Sequence, residues 1–250
     1  MQFADIWVGV SRGFDMSQNN HPRNQLDQVI CQLRYPALLS VDRNIDLFQE
    51  RVRDTYPKYS PEPIVPLGVA NPPGAGHIFT SSDGMWSVNV STGAVSLTSR
   101  KYLDWNDFES KFIQVFEPFT SVFGIEKFNR IGLRYINAIR PSVVEMRMDS
   151  KVILKGPLAD LFSSSTGSFR GGSCVLDRDL GNGISSRTVV GTIVFNDNES
   201  GFAIDNDVFT VEETDGSAVV SALRQFNEMS NLLFSEVASD ELCKKVGLND

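Results

Sequence analysis

The chain has 250 residues and a mass of 27.7 kDa, with 23 basic against 31 acidic side chains and a net charge of −8. Hydrophobic residues at 41% and aromatic residues at 10% can build a buried core, which excludes wholesale disorder, collagen-like repeats and disulfide-dense scaffolds. The acidic balance makes nucleic acid an unlikely partner, and no apolar run reaches the ~18 residues that cross a bilayer, so no membrane association is expected.

Residues 1–24 combine a short apolar piece (Ile6, Trp7, Val8) with a polar run, and read as an N-terminal arm without signal-peptide features. The first clear strand covers 28–35, with Val29, Cys31, Leu33 and Tyr35 on one face and Gln32 and Arg34 on the other. A helix is expected over 45–56, capped by Asn44, with Ile45, Phe48, Val52 and Tyr56 as its apolar stripe. Residues 57–76 are rich in Pro and Gly and read as a loop.

Strands over 77–81, 85–90 and 94–100 are separated by turn residues and form an antiparallel meander. Asp104 caps a helix with Trp105, Phe108, Phe112, Val115 and Phe119 on one side, and Pro118 kinks or ends it. In the strand 127–140, Ile131, Leu133, Tyr135 and Ile139 share a face with Asn137, which must find a partner there. Arg130, Arg134 and Arg140 fall on the opposite face.

A broken strand is expected over 143–154, a short helix over 159–165 and a Ser/Gly-rich loop over 163–172. Strands follow at 172–176, 187–195 and 201–212. Ser217 caps a long helix carrying Val219, Leu223, Phe226, Leu233 and Val237, and Ser239 starts a final short one. The fold class is α+β, with antiparallel sheets and long amphipathic helices. Both halves run from strands to a long helix, which suggests two related lobes, 25–141 and 142–250, behind the arm 1–24.

Several segments together carry a resemblance: DQVICQLRYP (27–36), FQERVRDTYP (48–57), LTSRKY (97–102) with Trp105 and Phe108, RIGLRYIN (130–137) and FAIDNDVF (202–209). In this order they resemble a sporadically distributed prokaryotic family with no assigned activity, over roughly residues 25–248. That family more often has Glu where this chain has Asp27. The resemblance implies no reaction, cofactor or catalytic residue. The family's patchy distribution implies an accessory protein of the antiviral-defence or toxin–antitoxin kind, working with a protein partner encoded nearby.

The residues point to no catalytic machinery. His21 and His77 have no cysteine at ligand spacing, and the Gly-rich stretches lack the Walker A and Rossmann contexts. Cys31, Cys174 and Cys243 are far apart, which fits reduced thiols in the cytoplasm. No cofactor and no metal is expected. Asp177/Asp179 and Asp205/Asp207 would hold a cation only if their strands were adjacent.

Charge is uneven. Seven basic against two acidic residues lie between Lys127 and Lys155, and seven acidic residues with no base lie between Asn196 and Gly216. These are either solvated faces that pair with each other or a basic groove beside an acidic interaction surface. In the second case Arg34, Arg130 and Arg134 would bind an anionic, phosphorylated or nucleotide-like ligand, and Glu212, Glu213 and Asp215 would face a partner. In the first case the arginines are internal anchors. The leading expectation is a non-enzymatic binding or interaction protein; the alternative is an enzyme or sensor using the arginine-lined sheet face.

Overall fold

The computed structural model of the chain describes residues 25–61, 76–163 and 171–248. The arm 1–24, most of the expected 57–76 loop and most of the 163–172 loop lie outside the described residues.

β1 (Leu26–Arg34) alternates as expected, burying Val29, Cys31 and Leu33. α1 (Val41–Val52) begins one turn before the expected helix, because Ser40 rather than Asn44 holds the N-cap position. Thr55 and Tyr56 donate their N–H groups back to the Val52 carbonyl, so Tyr56 still reaches the core beyond the helix end. β2 (Lys58–Pro61) lies where a loop was expected. It is an exposed edge strand, the position where proline is tolerated.

β3 (His77–Thr80), β4 (Trp86–Ser91) and β5 (Ala94–Ser99) form the expected meander. α2 (Trp105–Phe123) is capped by Asp104, whose side chain accepts from the Asp107 N–H at 2.9 Å. It runs through Pro118 and stops at Gly124, whose φ of 65° suits a residue without Cβ. The long strand is two pieces, β6 (Lys127–Phe128) and β7 (Arg130–Ile139). The Asn129 N–H between them donates to the Arg34 carbonyl at 2.7 Å.

The expected strand over 143–154 is absent. That stretch forms two short helices, α3 (Pro141–Val144) and α4 (Ser150–Ile153), and α5 (Gly156–Leu161) follows. Local start signals override the apparent alternation: Pro141 at the first helical position, the Asp149 side chain accepting from Lys151 N–H, and Pro157 early in α5.

β8 (Ser173–Gly181) and β9 (Ile184–Val194) are a hairpin through Asn182, longer than the expected pieces. β10 (Ser200–Thr210) follows, then β11 (Thr214–Asp215), which pairs with β6. A 3₁₀ turn at Gly216–Ala218 leads into α6 (Val219–Val237), so Ser217 lies in that turn and does not cap the helix. α7 (Asp240–Lys245) is capped by Ser239, as expected.

Among the described residues, nine strands form one antiparallel sheet in the order β2-β3-β4-β5-β1-β7-β10-β9-β8. Its centre joins the two halves of the chain, since β7 and β10 pair from Ile139↔Phe202 to Gly132↔Phe209. Buried side chains of all the helices belong to two clusters on one face of the sheet. The larger holds Phe48, Phe79, Phe108, Phe112, Phe119, Phe128 and Phe226 with Leu33, Ile131 and Leu133. The smaller holds Ile139, Val190, Phe202 and Ile204 with Ile153, Phe162 and Phe234. Burying an aromatic side chain of this kind stabilises by roughly 1.5–3 kcal/mol. The opposite face carries no described helix.

Candidate functional site

On the face that carries no described helix, β1 and β7 are neighbours, so Arg34 lies directly opposite Arg130, and Arg134 lies opposite Ile30. The geometry that would gather the three arginines is therefore present. The partners of Arg130 and Arg134, however, come from β10. Arg134 makes a two-pronged bond to Asp205, Nε to Oδ1 at 2.8 Å and Nη2 to Oδ2 at 2.6 Å. Arg130 donates to Asp207 at 2.7 Å and stacks 4.4 Å above the Phe209 ring.

Gly132 makes room for that stack: a Cβ there would lie 2.4 Å from Arg130 Nη1. Next across the sheet, Arg187 grips Asp177 at 2.6 and 2.9 Å. The Asp177/Asp179 and Asp205/Asp207 pairs are thus separated by β9 and Arg187 and do not adjoin. Arg34 is exposed and bonds its neighbour Gln32 at 2.8 Å.

Burial leaves its mark on this row. It pushes the Asp207 carboxyl up and the Arg130 guanidinium down, against their mutual attraction, so desolvation outweighs the pairing there. Arg134 moves the other way, raised by its bond to Asp205. This face carries a row of matched ion pairs beside a small buried apolar cluster, Ala138, Ile193, Phe195 and Ala203.

The acidic stretch is matched in the same way. Arg140 bonds both Asp197 and Glu199, the latter at 2.7 Å. Lys127 bonds Glu213 at 2.8 Å and feels Asp215 as well. Glu212, Glu213 and Asp215 are exposed at the end of the sheet beside Val211.

The helix face holds a different feature. Between the two apolar clusters lies a cavity of about 610 Å³. Its sheet wall comes from the start of β1 (Gln25, Leu26), the end of β7 (Tyr135, Asn137) and Asn206 of β10. Tyr102 and Trp105 close one side, and α6 presents Asn227, Ser230, Asn231 and Phe234. Val246 and Leu248 line the end beyond α7. Leu103 and Asn231 are exposed and mark its mouth.

Three of the polar wall residues, Asn137, Ser230 and Asn206, occupy positions where their elements are otherwise apolar. On β7, Asn137 follows Ile131, Leu133 and Tyr135 and donates Nδ2 to the Ile204 carbonyl at 3.2 Å. On α6, Ser230 interrupts the series Val219, Leu223, Phe226, Leu233 and Val237, turning its hydroxyl back to the Phe226 carbonyl at 2.7 Å. A serine in that place leaves volume that a leucine would fill. On β10, Asn206 sits between Ile204 and Val208 and is 1% exposed.

The Asn206 amide is oriented by a relay. Arg178 pairs with Glu236 of α6 at 3.2 Å and directs Nη1 at Thr188 Oγ1, 3.4 Å away. The Thr188 hydroxyl accepts from Arg178 and donates to Asn206 Oδ1 at 2.8 Å. The other end of the amide, Nδ2, is buried and has no hydrogen-bond partner among the described residues.

The cavity is electrically quiet. Tyr135 donates to Asn227 Oδ1 at 2.8 Å and meets Tyr102 edge to face, 5.7 Å between ring centres. Burial drives both phenols above their ordinary range, so they remain neutral. Among the described lining residues the only charged one is Asp104, exposed at the mouth and engaged in capping α2.

Other reactive groups are structural. His77 bridges Tyr59 and Asp42 at 3.1 Å each, tying the edge hairpin to α1. The Cys31 thiol is buried and pushed up by that burial. No group of His, Cys, Asp and Glu among the described residues is arranged to hold a metal ion. No described helix is long and apolar enough to cross a membrane.

No known family model matches the chain, and no curated protein matches it at significant similarity. Sequence reasoning placed the arginines and singled out Asn137, but it missed Asn206. The same signal, an amide at an apolar position of a strand, was there to read.

Proposed function

We propose that this is a non-enzymatic small-molecule-binding protein whose ligand occupies the cavity between the two helix-side clusters. The observation that carries the reading is Asn206 Nδ2, a buried donor without a protein partner on a residue that lines the cavity. Leaving such a group unpaired costs about 1–3 kcal/mol, and a ligand acceptor would recover it. A few directional polar groups in a mostly apolar concavity is the usual composition of a ligand site, and the volume falls within the range of about 300–1,000 Å³ such sites have. The arginine face supports an anion site less well, because Arg130 and Arg134 already hold carboxylates.

The test is a thermal-shift screen of metabolites against the wild type and Asn231→Trp. Asn231 is exposed at the cavity mouth, so the indole would obstruct entry without entering the core. The reading expects compounds that raise the melting temperature of the wild type and leave the variant unmoved. Shifts equal in both proteins would place binding elsewhere.

A second reading keeps the protein partner. It is favoured by the exposed cluster of Val211, Glu212, Glu213 and Asp215 at one end of the sheet. Reversing the three acids to lysine would then weaken capture of that partner in a salt-dependent way. Capture unaffected by the reversal would remove this surface from the account.

A further inference from the structure

We propose that the cavity takes an uncharged planar heterocycle of the nucleobase class, as base or nucleoside, with Asn206 Nδ2 donating to an acceptor on its ring edge. This rests on the reading of the cavity as a binding site and names its ligand class.

Charge comes first. No lysine, arginine or histidine is among the described lining residues, and the lone carboxylate, Asp104, stands at the mouth. A phosphate would enter a cavity with no cation to receive it, past a group that repels it. The ligand body is therefore neutral.

Shape and polarity come next. Tyr102, Trp105 and Tyr135 supply flat aromatic surface, the kind of wall on which a planar ring stacks. Leu26, Phe234, Val246 and Leu248 supply apolar wall without hydrogen-bonding capacity. A saccharide, with hydroxyls around its whole rim, would bury several of them against these residues unpaired. A nucleobase confines its polar atoms to its edges and offers two apolar faces.

The amide chemistry fits the same class. An asparagine side chain and a base edge are both planar, and asparagine pairs with base edges in the plane of the ring. Here Asn206 Oδ1 is engaged by Thr188, so the amide offers one donor, and the complementary ligand atom is a ring carbonyl or an unprotonated ring nitrogen. Asn227, whose Oδ1 accepts from Tyr135, has its NH₂ group to offer from the α6 side.

The experiment is calorimetric titration of the full chain with adenosine, guanosine, cytidine and uridine, their 5′-monophosphates, methyl glucoside and choline. The proteins are the wild type, Asn206→Ala and Asn231→Trp. At least one nucleoside should bind the wild type and bind each variant about tenfold or more weaker. Its monophosphate should bind no tighter, and raising the salt should leave the affinity unchanged. Asn206→Ala also removes the acceptor for Thr188, so circular-dichroism melts accompany it. Asn231→Trp, altered at an exposed position, keeps the test decisive if Asn206→Ala folds poorly.

Nucleoside binding that neither variant weakens would overturn the proposal, as would a monophosphate that binds much more tightly and in a salt-dependent way. Methyl glucoside or choline binding that Asn231→Trp abolishes, with no nucleoside bound, would overturn the ligand class and leave the cavity reading standing. No binding by any probe, together with no small molecule in native mass spectra of the purified wild type, would mean a water-filled cavity only and overturn both.

Discussion

On the face of the sheet that carries no described helix, Arg134, Arg130 and Arg187 each hold a carboxylate on a neighbouring strand. On the helix face, the Asn206 amide has one end fixed by Thr188 and a donor at the other that no protein group accepts. The first face is rich in charge, and its buried arginines are paired with carboxylates. The helix face is poor in charge. Among the described residues, buried side-chain atoms without a partner lie on both faces, Asn89 Oδ1 on the first and Ser186 Oγ and Asn206 Nδ2 on the second, and of these three residues only Asn206 lines the cavity. The difference teaches that charge density marks where this sheet holds itself together, whereas an unpartnered donor on a residue that also lines a cavity marks where it has room to bind. Both follow from one register: β10 against β7 puts Asp205 and Asp207 on one face and Asn206 on the other.

The largest expected effect lies in the apolar frame on which both faces depend. Phe112→Ala should cost ~3–5 kcal/mol in urea melts, because Phe112 is 4% exposed within the larger cluster. A near-neutral result would mean that α2 does not anchor the helix face.

Asp205→Ala comes next. It leaves Arg134, itself about one-third exposed, without its two-pronged partner. A stability loss of roughly 1–3 kcal/mol is expected, below the full figure for a buried pair because of that exposure. Arg134→Lys, which keeps the charge and loses the fork, should cost less, about 1 kcal/mol. Equal losses for the two would mean that the fork geometry contributes nothing.

Acid titration sharpens the contrast among the ion pairs. Hydrogen bonds from Arg224 and Arg187 hold the Glu109 and Asp177 carboxyls below their ordinary values. Their stabilisation is present above the ordinary carboxylate range, ~4, and is lost as pH falls through the lower folded values. Asp207 is raised by burial, so its ionised form lowers stability and protonation on acidification relieves that. Glu109→Gln should therefore flatten the loss of stability in acid, and Asp207→Asn should steepen it. Stability measured against pH in both variants checks the two signs.

The smallest expected effect is at the sheet end. Lysines at Glu212, Glu213 and Asp215 should leave the melting temperature nearly unchanged, since all three are exposed. A large drop would mean that the Lys127–Glu213 bond matters to the fold.

The sequence showed the strands of the meander, β1, the face assignment of the arginines and the aromatic stripe of α2, because period-two and period-3.6 patterns report directly on burial. It did not show the two helices over 141–153, where short local caps decide and the apolar spacing is ambiguous, and it placed the next short helix at 159–165 where the structure has Gly156–Leu161. It did not show that the basic and acidic stretches, about seventy residues apart, are hydrogen-bonded neighbours. Pairing between distant strands leaves no local signal, so two charge clusters that cancel in space read as two separate surfaces. The cavity was half legible. Asn137 stood out at an apolar position, and the gap in the α6 stripe at Ser230 was visible, but nothing local says that Asn137, Asn206 and Ser230 meet.

The most direct test of the central claim, that the binding site is the neutral cavity and not the charged face, is one paired calorimetric titration. The nucleoside that the wild type binds best is titrated into Asn231→Trp and into Arg134→Lys. The account predicts that Asn231→Trp loses about tenfold or more in affinity while Arg134→Lys binds as the wild type does. Loss of affinity in Arg134→Lys with none in Asn231→Trp would contradict it and return the site to the arginines.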